Sequence, residues 1–184
     1  MKKIFSLALV ALFFAACGNN GEKTQQAPDR DVLLDSISQL EQAIEDPSAI
    51  FSADTAEMMF GLYSRFVQYF PDDDLTPGYM LRMADIEVNR GNLEQGVALY
   101  DSIIEKYTPG GFDGYADCMY KKALALDQDG EHGEQAIAAY GAFIEQFPEH
   151  YLVPEAKKSM KISEMSQKEL LATVHEWEKK DKKK

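Results

Sequence analysis

The chain has 184 residues, 45% of them hydrophobic, which fits one domain of the usual roughly 100 to 200 residues with apolar side chains enough for a core. Its formal net charge of −12 is unevenly spread: residues 18–154 hold 25 acids against 8 Lys and Arg, a balance of −17, whereas residues 155–184 hold 6 acids against 9 lysines, a balance of +3. So acidic a body excludes nucleic acid as a partner, because phosphate binding needs a concentrated positive face.

The first stretch, "MKKIFSLALVALFFAAC", sets two lysines before an apolar run from Ile4 to Phe14 and small residues before Cys17. That is the layout of a secretory signal, and the run is too short for the roughly 20 residues a bilayer span takes. Ala15-Ala16-Cys17 resembles the lipobox of bacterial lipoproteins, with Phe14 standing where Leu is usual. The resemblance implies lipidation of Cys17 as the first residue of the mature chain. It implies a lipid anchor in the bacterial cell envelope, on the outer membrane facing the periplasm. An ordinary cleaved signal that contains a cysteine is the alternative. Residues 18–30, "GNNGEKTQQAPDR", are polar and aperiodic and read as a flexible tether.

From Asp31 the apolar spacing turns helical. "DVLLDSISQLEQAIED" carries Leu33, Ile37, Leu40 and Ile44 at helical intervals. The next element starts near Asp54 with Glu57 three residues on, a capping-box pattern that recurs at Asn92 and Gln95. "TPGYMLRMADIEVNRG" begins with Pro77 in its first turn and closes at Gly91, and "YADCMYKKALALDQDG" closes at Gly130. Glycine there suits a left-handed cap, proline a helix start.

Three of these elements are echoes of one another: "FGLYSRFVQYFPD", "VALYDSIIEKYTP" and "IAAYGAFIEQFPE", beginning at Phe60, Val97 and Ile137. Each has a tyrosine at its fourth position. The spacing places Phe60, Tyr63, Val67 and Phe70, and their counterparts, on one helical stripe in each copy. The tyrosines are 37 and 40 residues apart, too long for one helix and right for a helical hairpin per repeat. Residues 151–178 then read as a closing helix or two that caps the stack, and 179–184 as a basic tail.

These residues resemble the tetratricopeptide repeat family, which sets a small residue and an aromatic four later on the second helix. Gly96 and Tyr100, with Ala84 on the preceding helix, fit that pattern; so do Ala136 and Tyr140, with Ala123 and Pro148. Met59 before Tyr63 departs from it, and the stretch between Ala123 and Ala136 is one residue longer than that between Ala84 and Gly96. The resemblance spans residues 31–150 and implies an all-α fold: a short right-handed solenoid of about three helical hairpins with a C-terminal capping helix. It further implies a concave face lined by the first helix of each hairpin, including Leu81, Asp85 and Asn89, then Asp117, Tyr120 and Leu124. Such a groove takes a protein or peptide partner, with the aspartates favouring a basic one.

No catalytic constellation accompanies the repeat. His132, His150 and His175 lack zinc-motif spacing, and "TPGGFDGY" lacks the phosphate-loop pattern. "PDDDL" and "DQDGEH" read as turns rather than calcium loops, and Cys118 as a buried structural thiol. The expectation is a non-enzymatic interaction scaffold with no metal, cofactor or small-molecule substrate, tied to the membrane by its lipid and assisting outer-membrane or cell-wall assembly. A structural or self-associating subunit of an outer-membrane complex is the second reading.

Overall fold

The computed structural model describes residues 27–45, 52–128 and 130–165, together with Glu169, Ala172 and Val174. The signal, Cys17, most of the tether, His175 and the basic tail lie outside the described residues. Among the described residues there are seven α-helices and no strand: α1 (Arg30–Glu45), α2 (Ala53–Tyr69), α3 (Thr76–Asn89), α4 (Leu93–Lys106), α5 (Tyr115–Gln128), α6 (Gly133–Gln146) and α7 (Val153–Ser163). None is long and apolar enough to cross a membrane.

The expected hairpins are α1–α2, α3–α4 and α5–α6. Every helix packs against its neighbours in sequence, and α3 also touches α5. That serial contact pattern is an all-α helical repeat solenoid. α7 packs on α6 and ends at Ser163, with Glu164 as its C-cap and a bend at Met165, so the closing element is not one continuous helix to residue 178.

Helix ends follow local chemistry. Gly91 has φ +84°, the amide of Asn92 reaches the carbonyl of Glu87 at 2.9 Å and that of Gly91 reaches Val88 at 3.0 Å, which is a complete Schellman closure. Gly130 also has positive φ, +69°. The capping boxes differ from expectation. The N-cap of α2 is Ser52, whose Oγ accepts from the Thr55 amide at 3.1 Å, and Asp54 lies inside the first turn. Asn92 does occupy the N-cap position of α4, but its side chain donates to Glu87 Oε2 at 2.5 Å and caps nothing.

Burial divides the tyrosine stripe in two. Tyr63 with Phe66, Tyr100 with Ile103 and Tyr140 with Phe143 are sealed at 2% exposure or less. The remaining stripe residues are half-buried, and Val97, Ile104 and Tyr107 pack into the core of the following hairpin. Each second helix therefore has two apolar faces. The tyrosine and the residue three later face the sealed core, and the rest of the stripe faces the next hairpin. Cys118 is fully buried, its Sγ 3.7 Å from the Tyr100 carbonyl; burial first, then the Asp85 charge, pushes its thiol up to about 12.

Candidate functional site

Close approach of helices decides where a groove opens. Ala84, Ala123 and Ala136 are 0% exposed, and a Cβ on Gly96 would meet Val88 Cγ2 at 2.4 Å and the Ala84 carbonyl oxygen at 3.1 Å. Small residues at these crossings hold α3 to α4 and α5 to α6, and leave α1, α3 and α5 side by side along one face.

Three hollows run along that face and all include Asp85. The first, 320 Å³, is bounded by Glu41, Ile44, Met59 and Arg82. The middle one, 720 Å³, is bounded by Tyr79, Leu81, Phe112, Asp74, Asp113 and Lys121. The third, 230 Å³, includes Asn89, Tyr100, Lys121 and Leu124. Apolar floor and acidic rim alternate here, the arrangement expected of a surface that anchors an extended or helical segment.

Of the six residues named from the repeat pattern, Leu81, Asp85, Asn89 and Leu124 line these hollows. Asp117 and Tyr120 sit beyond them, nearer the start of α5. Tyr151 donates its hydroxyl to Asp117 Oδ1 at 3.5 Å, and His150 Nε2 is 3.8 Å from the same oxygen. The Tyr120 ring packs against Tyr140 and Phe143 at 6.0 and 5.7 Å.

Asp85 is engaged within the chain. Its Oδ1 accepts the Tyr100 hydroxyl at 2.7 Å, and Oδ2 pairs with Lys121. Its charge is thus already countered, and the negative rim of the middle hollow comes from Asp74 and Asp113. A parallel set stands one hairpin earlier, where Tyr63 donates to Glu41 Oε1 at 2.7 Å and Arg82 pairs with that oxygen. Burial, then hydrogen bonding to these carboxylates, pushes both tyrosines far above the ordinary phenol range. Glu41, Arg82 and Lys121 are outside the sequence reading because each pairing crosses between helices, and no periodicity within one helix marks it.

The aspartates of "PDDDL" do turn work: Asp73 Oδ1 accepts from the Leu75 amide at 3.0 Å, and its carboxylate takes Arg30 Nε at 2.6 Å. The Arg30 hydrogen bond holds Asp73 below its usual range. Among the described residues no three His, Cys, Asp or Glu converge to hold a metal ion.

A tetratricopeptide repeat model matches residues 79–108 and 117–150, the segments that carry α3–α4 and α5–α6. The unmatched first hairpin is the one with buried Met59 at the small position. No curated protein and no solved structure matches the chain.

Proposed function

From two hairpins of tetratricopeptide type on one continuous face, we propose that this chain is an interaction scaffold of the bacterial envelope, held by a lipid on Cys17. Its concave face takes a segment of a partner protein. Repeats of this type are in general protein-binding modules without catalysis, which supports a non-enzymatic role. The observation that carries the reading is the run of three hollows along α1, α3 and α5, centred on Asp85 and floored by Tyr79, Leu81 and Phe112. A role beside outer-membrane or cell-wall assembly follows from the expected lipid address together with a periplasm-facing body.

The test is crosslinking in living cells through a photoreactive residue in place of Leu81, with Cys17→Ser beside it. One recurrent partner, lost when Cys17 is changed, supports a tethered scaffold. Crosslinks solely between copies of this chain transfer the function to a self-associating structural subunit. No crosslinks at all sink both.

A further inference from the structure

Successive hairpins are joined by one three-part device, and among the described residues its third copy has no cation. Between α1 and α3, Tyr63 donates to Glu41, and Arg82 completes the set with its guanidinium 5.9 Å from the Tyr63 ring and 5.6 Å from the Tyr79 ring. Between α3 and α5, Tyr100 donates to Asp85, and Lys121 completes the set. Arg82 and Lys121 hold the same place, each two residues before a fully buried alanine, Ala84 or Ala123.

Between α5 and α7 the phenol and the carboxylate are present: Tyr140 donates to Asp127 Oδ2 at 3.4 Å. The other oxygen of Asp127 takes the Ser163 hydroxyl at 2.5 Å. Among the described residues, no lysine or arginine pairs with Asp127. Register explains why. "FPDDDLTP" from Phe70 and "FPEHYLVP" from Phe147 superpose without a gap, and the same register puts Ser159 of α7 where Arg82 stands in α3. Ser159 lies against the Tyr140 hydroxyl, in the right place but without a charge.

A half-buried carboxylate whose partners among the described residues are hydroxyls keeps a net negative field in a partly desolvated setting, where a cation gains more than in open water. The surroundings add to that field. Tyr120, beside Tyr140, is raised above its ordinary pKa by burial first and then by the charges of Glu155 and Asp127. Asp117 lies one helical turn before Tyr120, and Tyr151 stands 75% exposed at its side. Leu124, one turn from Asp127, belongs to the hollow that holds Asp85 and Lys121, so the place adjoins the groove.

We infer that the α5–α7 junction at Asp127 is a docking point for a lysine or arginine side chain of the partner protein, which does from outside what Arg82 and Lys121 do from within. The inference rests on the scaffold reading above and adds the chemistry of the guest: a cationic residue at the Gln128 end of α5, next to the hollow that holds Leu124. The −17 balance of residues 18–154 favours such a guest.

The probes are N-acetyl-arginine amide and N-acetyl-lysine amide, with neutral N-acetyl-norleucine amide as control, titrated into the purified full-length chain and followed by carboxylate and aromatic-ring NMR. Saturable shifts at Asp127, Tyr120 and Tyr140 are expected with the cationic probes alone. Both Asp127→Asn and Ser159→Lys should weaken them about tenfold. Ser159→Lys should also raise the melting temperature, a gain absent when Asp127→Asn is present as well.

Shifts that spread over Asp72, Asp74 and Asp113 without saturating, or that survive both substitutions, overturn the inference. So does a response confined to a chain whose five lysines from 179 to 184 are changed to alanine, since the tail is then the occupant. In cells, a partner crosslinked equally by the natural chain and by Ser159→Lys leaves the scaffold reading standing and removes this one.

Discussion

Gly96 and Gly61 are both interior to helices, yet substitution by alanine should move stability in opposite directions. At Gly96 the new Cβ meets a valine methyl at 2.4 Å and two backbone atoms at 3.1 Å. Overpacking of that kind costs about 1 to 3 kcal/mol and outweighs the helix-propensity gain of about 1 kcal/mol. At Gly61 nothing lies within 4 Å, so Gly61→Ala should stabilise by about 0.5 to 1 kcal/mol. Urea midpoints at unchanged slope measure both. Equal effects at the two sites would mean that α3 and α4 do not cross at Gly96. That crossing was legible in the sequence because a small residue followed by an aromatic four later has one physical use. The pairing of carboxylates with the tyrosines was not legible, even where the carboxylate itself, Asp85, was named. The carboxylates stand 22, 15 and 13 residues from their phenols, intervals that follow no local rule and are set by how two helices lie against each other.

Helix ends show how far local rules reach. Removing the Gly91 closure by Gly91→Ala forces a side chain into the left-handed region and should cost about 1 to 2 kcal/mol; this end was readable, since glycine after a helical run has few other meanings. The start of α2 was readable as to place and not as to residue. Asp54 with Glu57 matches the capping-box spacing, whereas Ser52 has no Glu or Gln three residues on, yet the structure uses Ser52. Ser52→Ala should therefore lose about 1 kcal/mol. Asp54→Ala removes only a charge near the helix N-terminus, typically worth about 0.3 to 1 kcal/mol at an exposed site. Chemical denaturation of the two variants discriminates; a larger loss at Asp54 would assign the cap to it after all. Asn92 was misread for a related reason: the Schellman closure brings Glu87 Oε2 within 2.5 Å of its side-chain Nδ2, and with the carboxamide turned to donate there its oxygen caps no backbone amide.

At the scale of the molecule, each hairpin buries one tyrosine whose hydroxyl donates to a carboxylate, so alkaline pH acts on all three cores together. Burial, the largest cause at each, raises Tyr63, Tyr100 and Tyr140 above the ordinary 10.0, with Tyr140 at about 12 and the other two higher. A phenol whose folded pKa lies above its unfolded one contributes stability that is whole below pH 10 and drains as pH rises toward the folded value. The native state holds these protons while the unfolded chain releases them, so unfolding grows more favourable with each step upward. The melting temperature should be flat from pH 7 to 9 on this account and fall steeply from about pH 10 to 12. In parallel, absorbance at 295 nm should register the exposed tyrosines first and the sealed three only as the helical circular-dichroism signal collapses. Tyr100→Phe lowers stability at neutral pH by about 1 to 2 kcal/mol, because Asp85 loses a donor; it should also make the alkaline fall shallower, since one fewer proton separates native from unfolded. Ionisation of all nine tyrosines near pH 10 with the helical signal intact would mean that the phenols are not sealed, and the interlocked cores described above would be wrong.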